Sequence, residues 1–217
     1  MPEKPATGPR STGPDSTGQW LVSQGTRWFF DSGALSLDFV YTGAGGGNPD
    51  SEQFHAPVDL GRWLGGRFPR LDGEPGEREL SDALGLRSAI FSIAGALSER
   101  RVPNADDVDT INLFAATPDV PPALAGGRRQ AGAGRIRIGQ ALSSVARDAV
   151  ELFGHEVDAS HRADGEQRIR QCSASDCRLV FYDESRTNNR RWCSMQRCGN
   201  RAKVRAFRER AGARTVA

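Results

Sequence analysis

The sequence predicts an α+β protein: a mostly helical N-terminal domain with short strands, followed by a small C-terminal treble-clef-like module organised by four cysteines. Three observations carry that expectation. Apolar residues recur near the 3.6-residue helical period in successive stretches between residues 57 and 153. Short runs of strand formers flank turn residues at 20–30 and 168–182. The only cysteines of the 217-residue chain, Cys172, Cys177, Cys193 and Cys198, form two Cys-x4-Cys pairs separated by fifteen residues. With 37% hydrophobic residues, the chain can build one medium core and a small module.

Residues 1–19 are rich in Pro, Gly, Ser and Thr, too poor in apolar surface to offset the entropy of ordering, and are expected to be a disordered tail. Residues 20–165 then form the first domain. Trp20 and Val22, then Trp28 and Phe30, suggest two strands around a turn at Gln24-Gly25, and residues 35–40 continue the apolar entry. After a flexible stretch at 43–49, a short helix over 57–64 turns Leu60, Trp63 and Leu64 inward. The clearest helix spans 77–100, with Leu80, Ala83, Leu84, Ile90, Phe91, Ala94 and Leu97 on its stripe. Arg87 lies close to that stripe; its stem is expected to pack while the guanidinium reaches water, an interior polar site being the alternative. Asn104 caps the next helix, which buries Val108, Ile111 and Leu113 or Phe114 before Pro118 ends it and Pro121-Pro122 mark a loop. The glycine-rich 126–134, with Arg128 and Arg129, lacks the Lys-Ser/Thr of a phosphate loop and is expected to be a flexible connection. A short strand at 135–138 and a helix over 141–153, apolar at Leu142, Val145, Ala146, Ala149, Val150 and Phe153, close the domain. His155 and His161 then fall in a solvated connector.

Residues 166–217 form the second domain. Its four thiols are the count and spacing of one closed, structural zinc site, and four thiolates leave no coordination position open for water activation. Disulfides would need an oxidising compartment, whereas no apolar leader precedes the fold and the expected location is cytoplasmic. The apolar runs are expected to be too short to cross a membrane. Strands at 168–171 and 178–182 bracket the first knuckle and Thr187-Asn188-Asn189 make a turn. Cys193 lies on an approach turn, and Cys198 begins a helix whose positive end favours a thiolate. From 199 to 211, Val204, Phe207 and Ala211 are expected to pack on the knuckle, with Arg197, Arg201, Arg205 and Arg208 on an adjoining face. Residues 168–217 carry 13 Lys+Arg against 4 Asp+Glu, whereas the rest carries 16 against 23, so an acidic body precedes a basic, phosphate-seeking tail. Arginine forks suit phosphates and guanine edges, which makes that face the candidate contact to double-stranded DNA. Arg190 and Arg191 extend it, Lys203 and Arg210 point elsewhere, toward backbone phosphate or water, and Trp192 reads as a packing residue.

Cys172, Cys177, Phe181, Asp183, Ser185-Arg186, Arg191-Trp192-Cys193-Ser194-Met195, Cys198-Gly199-Asn200-Arg201 and Lys203 resemble the CGNR zinc-finger family. Upstream, Leu37-Asp38-Phe39-Val40-Tyr41-Thr42 and the helix over 59–64 resemble the ABATE domain that precedes this finger in bacterial proteins. The resemblance implies a stress-responsive transcription regulator, with an effector-sensing N-terminal domain and a DNA-binding finger that holds one structural Zn2+. Tyr41 stands where the family motif usually has Asn, a departure that bears on the effector. Asp38, Thr42, Trp63 and Arg87 are the candidate effector-binding residues; Asp38 and Thr42 serving as local caps at a strand end is the competing reading. The partners expected are DNA, a small-molecule effector, transcription machinery and a second copy of the chain, with no membrane. An adaptor whose finger binds RNA or a protein of the transcription machinery is the alternative. No nucleophile–base set or catalytic metal motif is visible, so an enzyme is not expected.

Overall fold

The structure, a computed structural model, describes residues 17–23, 26–43, 52–120, 135–160 and 166–215. The turn at Gln24-Gly25, most of the 43–49 stretch, Pro121-Pro122, the 126–134 connection with Arg128 and Arg129, His161 and the side chain of Ala211 lie outside the described residues. So does the tail up to residue 16. Its last three residues are ordered, contrary to expectation: Thr17 Oγ1 donates to Asp31 at 2.8 Å, and the Gly18 N–H donates to Asp38 at 2.7 Å.

An antiparallel hairpin opens the fold, β1 (Gln19–Ser23) against β2 (Thr26–Phe30), with Trp20 opposite Phe29 and Leu21 opposite Trp28. Strand alternation sends Trp28 and Phe30 into the core and leaves Trp20, Val22 and Phe29 outside. Residues 35–40 are not strand-like: they form α1 (Leu35–Val40), a helix whose six residues are all buried. Asp38 therefore sits inside a helix rather than at a strand end.

In α2 (Pro57–Arg67) the proline occupies the first turn, where its missing N–H costs no helical hydrogen bond, and Asp59 Oδ2 accepts from the Ala56 cap N–H and the His55 N–H before it at 3.1 Å each. Leu60, Trp63 and Leu64 face inward as expected. The central helix is α3 (Glu77–Ser98), which packs on α1, α2, β3 and the two helices that follow it. Its buried set is Leu80, Ala83, Leu86, Ala89, Ile90, Ile93, Ala94 and Ala96. Phe91 is exposed and Leu84 and Leu97 only partly buried, because the packed face is centred on Leu86, Ile90 and Ile93 and the alanines admit neighbours on both sides. By length and composition α3 could cross a membrane, which the expectation of short apolar runs missed; here it is the core helix of the body.

Asn104 caps α4 (Ala105–Ala115) as expected, its side chain accepting the Asp106 N–H at 3.0 Å. Ile111 is buried and Phe114 is partly buried against the core. Val108 and Leu113 are exposed because α4 forms an outer layer on α3 and α5 (Ile138–Ser160). The strand expected at 135–138 reduces to one parallel bridge between Leu71 and Ile136, since Ile138 already begins α5. That helix runs past Phe153, so His155 is an exposed helical residue, and Val150 is exposed too.

The C-terminal module comprises β3 (Ile169–Gln171) and β4 (Val180–Tyr182), paired antiparallel, a π-helical turn at Met195–Gly199, and α6 (Asn200–Thr215). Asn188 in the predicted turn adopts φ +44°, a conformation Asn tolerates better than most residues. One apolar core runs without interruption from Phe30 and Phe39 through Leu86 and Val145 to Ile169, Phe181 and the cysteines. At the junction Gly33, at φ +84°, brings its backbone so near Tyr182 that a Cβ would lie 2.6 Å from that residue's carbonyl oxygen. The Tyr182 N–H donates to the Ser32 carbonyl at 2.8 Å. Beside it the buried Tyr41 hydroxyl accepts the Val180 N–H at 2.6 Å and donates to the Val180 carbonyl at 2.7 Å.

Candidate metal centre and basic helix

Two short segments present the four thiols. The first knuckle follows β3: the Cys172 N–H donates to Leu179 O at 2.8 Å and the Cys177 N–H to Ala174 O at 3.0 Å, folding the loop so that both sulfurs point the same way. The second is the approach to α6. Ser194 caps it by accepting the Gln196 N–H at 3.2 Å, and the π-helical turn carries Cys198 back beside Cys193. Five residues would place two positions about 140° apart on a regular α-helix, but Cys193 lies outside the helix, before the extended cap Ser194, so no such mismatch arises.

All four thiols are free and buried, and their sulfurs lie within 4.8 Å of one another. Cys177 and Cys193 sulfurs are 3.8 Å apart, Cys193 and Cys198 sulfurs 3.5 Å apart. A tetrahedron with metal–sulfur distances of about 2.3 Å has edges of about 3.8 Å, whereas a disulfide would need about 2.05 Å. The donor set therefore fits one zinc ion. The Cys193 N–H donates to the Cys172 sulfur at 3.4 Å, and Arg201 Nη2 donates to the Cys198 sulfur at 3.2 Å, which raises the arginine's pKa further. The same guanidinium reaches Asp176 at 2.8 Å. Thiolate charge is thus shared by a backbone amide and a cation, the arrangement that orients ligands around a metal.

The arginines predicted to meet DNA separate into two groups. Arg190 is turned inward: its guanidinium donates to the Asp31 and Cys193 carbonyls at 2.7 Å and to the Trp192 carbonyl at 3.1 Å, stacks 4.1 Å from the Phe181 ring, and has its pKa lowered by burial. Arg197 stacks over Trp28 at 4.9 Å, and Arg201 holds Cys198 and Asp176. These three join the finger to the body or brace the metal site. Arg191, 5.2 Å over the half-buried Trp192, together with Lys203, Arg205 and Arg208, is exposed. Val204 and Phe207 do not pack on the knuckle as expected; they are 50% and 68% exposed, because α6 projects from its zinc-anchored end with none of its described side chains buried.

Three of the four candidate effector residues are occupied within the chain. Both Asp38 oxygens are taken, Oδ1 by the Ser32 hydroxyl at 2.6 Å and Oδ2 by the Gly18 N–H, and burial pushes the carboxyl up to about 6. Thr42 donates to Phe39 O at 2.7 Å. Arg87, instead of reaching water, makes a two-pronged pair with Glu52 at 2.8 and 2.6 Å. Trp63 differs: its Nε1, like the Nε of Arg67 stacked 3.9 Å over its ring, is buried with no acceptor among the described residues. Asp38 lies 3.8 Å from Arg67, an ion pair too long to be a hydrogen bond. Sequence reasoning missed Arg67 and Asp176, because each acts through residues 29 and 25 positions away and neither spacing leaves a pattern.

A search of curated proteins gives no match. Two family models match. Residues 168–211 match the CGNR zinc finger, and residues 33–156 match ABATE, described as "Putative stress-induced transcription regulator". The second covers more than half of the chain and takes in α1 to α4 and most of α5, and the first takes in all four cysteines. With a sulfur tetrahedron of zinc dimensions docked on the helical body, the chain belongs to the ABATE family and carries a CGNR zinc finger at its C-terminal end.

Proposed function

We propose that the protein is a DNA-binding transcription regulator in which α6 contacts duplex DNA and the helical body senses a small-molecule effector. The observation that carries the reading is α6 itself, a helix fixed at its start by the zinc site with none of its described side chains buried, and with Lys203, Arg205, Arg208 and Arg210 all exposed. A helix without a packed face gains little from its own chain, and clustered cations suit a polyanion. The zinc is structural, since thiolates fill its four positions. Such a protein works in the cytoplasm, at the nucleoid when bound.

Effector sensing is supported by Trp63 and Arg67, whose buried N–H donors beside Asp38 have no acceptor among the described residues. Leaving such groups unmatched is costly, and a small acceptor-bearing molecule would relieve that cost.

The test is selection of the zinc-loaded full chain on a random duplex pool near physiological salt, beside a Lys203→Ala/Arg205→Ala/Arg208→Ala variant. A motif enriched by the parent and lost by the variant is expected, and a palindromic motif would report a homodimer. Enrichment unchanged in the variant, or none with zinc bound, would shift the reading to an adaptor for RNA or for a protein of the transcription machinery.

A further inference from the structure

The exposed apolar side chains of α6 are left unexplained by phosphate binding. At about 100° per residue, Val204 and Phe207 lie about 60° apart and form one outward stripe. Ala202, the residue of the described stretch that is partly covered, lies on the opposite side of the helix. Lys203 and Arg210 fall about 40° to 60° beyond Phe207, while Arg208 and Arg205 fall about 40° to 100° beyond Val204. The stripe is therefore flanked by cations on both sides.

That cross-section matches a duplex major groove, about 12 Å wide and walled by phosphates on both sides, whose floor presents thymine 5-methyl groups as its apolar feature. An acidic surface facing one flank would leave the other set of cations unmatched. We propose that Phe207, with Val204 beside it, packs on a thymine methyl in the major groove while the two cationic flanks hold the opposite phosphate walls. This rests on the reading of α6 as the DNA-contacting helix and adds what that helix selects: sites with thymine at a fixed position.

The experiment uses the zinc-loaded full chain and a Phe207→Ala variant on a duplex selected by the parent, with each thymine replaced in turn by uracil, which removes only the methyl. The parent should lose affinity about fivefold or more at one or two positions, in the range of a single base-pair change. Phe207→Ala should bind parent and uracil duplexes equally, at the weaker affinity, with zinc content and salt slope unchanged. Arg205→Ala should retain the methyl sensitivity while its salt slope falls by about 0.9. A parent indifferent to uracil at every position, or a Phe207→Ala variant that keeps the sensitivity, would overturn the proposal while leaving DNA binding intact. Failure of the parent to bind any duplex would instead remove the underlying reading, and the proposal with it. Conversion of a dimer to a monomer by Phe207→Ala in sedimentation would overturn it in favour of a second copy, whose α4 offers exposed Asp106, Asp109 and Leu113.

Discussion

Single side chains at the two polar clusters behave differently from what their types suggest. Asp38 is a carboxylate held in the core, and desolvation outweighs the help of Ser32, Gly18 and Arg67. Its folded pKa of about 6 exceeds the ordinary 3.8, so the fold favours the protonated form. The stability it contributes is full below about pH 3.8 and is lost as pH rises through about 6, a total on the order of 3 kcal/mol. About 1 kcal/mol of that should fall between pH 5 and 7, where the thiolates still hold metal. Denaturant titrations should show this slope in the parent and not in Asp38→Asn; equal slopes would mean that Asp38 is better solvated than its burial indicates. Arg201 is the second case. Its bond to the Cys198 sulfur makes it a ligand-orienting residue, so Arg201→Ala should weaken zinc about 10- to 100-fold in chelator competition, with Arg205→Ala as the unaffected control.

Elements were legible in the sequence where one face is wet and one is dry. The stripes of α2 and α5, the Asn104 cap and the two knuckles follow from period, cap chemistry and cysteine spacing, and Asn104→Ala should cost about 1 kcal/mol in thermal or denaturant melts. Helix α1 was not legible, for a physical reason: Leu35 to Val40 are all buried, so no polar face interrupts the apolar run and period 3.6 cannot be told from period 2. Helix α6 failed in the opposite way. Its apolar residues were assigned to the interior by their type, whereas Val204 and Phe207 are exposed. The same reasoning misplaced Val108 and Phe91, which lie on helices whose inner faces are already filled by Ile111, Leu86 and Ile90, while of the pair Leu113 or Phe114 it is Phe114 that packs on the core. Of the candidate site, the cysteines were readable from spacing, while the inward turn of Arg190 and the Arg87–Glu52 pair depend on tertiary contacts that no local pattern encodes.

For the molecule as a whole, finger and body share one apolar core, and the contacts between them are made by main chain as well as side chains. Zinc binding should therefore support more than the finger. A structural zinc contributes about 10 to 16 kcal/mol in small modules, more than most domains have in reserve. Calorimetry of Cys177→Ser is expected to show the body melting at lower temperature than in the zinc-loaded parent. A body transition unmoved by loss of the metal would mean that the two parts fold independently. Tyr41→Phe should lower stability by about 2 kcal/mol in the same assay, since it leaves the Val180 N–H and carbonyl buried without partners.

The Tyr41 hydroxyl has a further consequence for how the chain behaves among its copies. A two-stranded sheet has two free edges, and an open edge is a template on which another strand can add. Val180 and Tyr182 turn their main-chain groups away from β3, and the body takes them: the phenol fills both positions of Val180 and the Ser32 carbonyl takes the Tyr182 N–H. The side of β4 remote from its partner is thus sealed by the body. Any rearrangement that withdraws α1 would uncover it, so separation of finger from body carries a risk of strand-to-strand association between molecules.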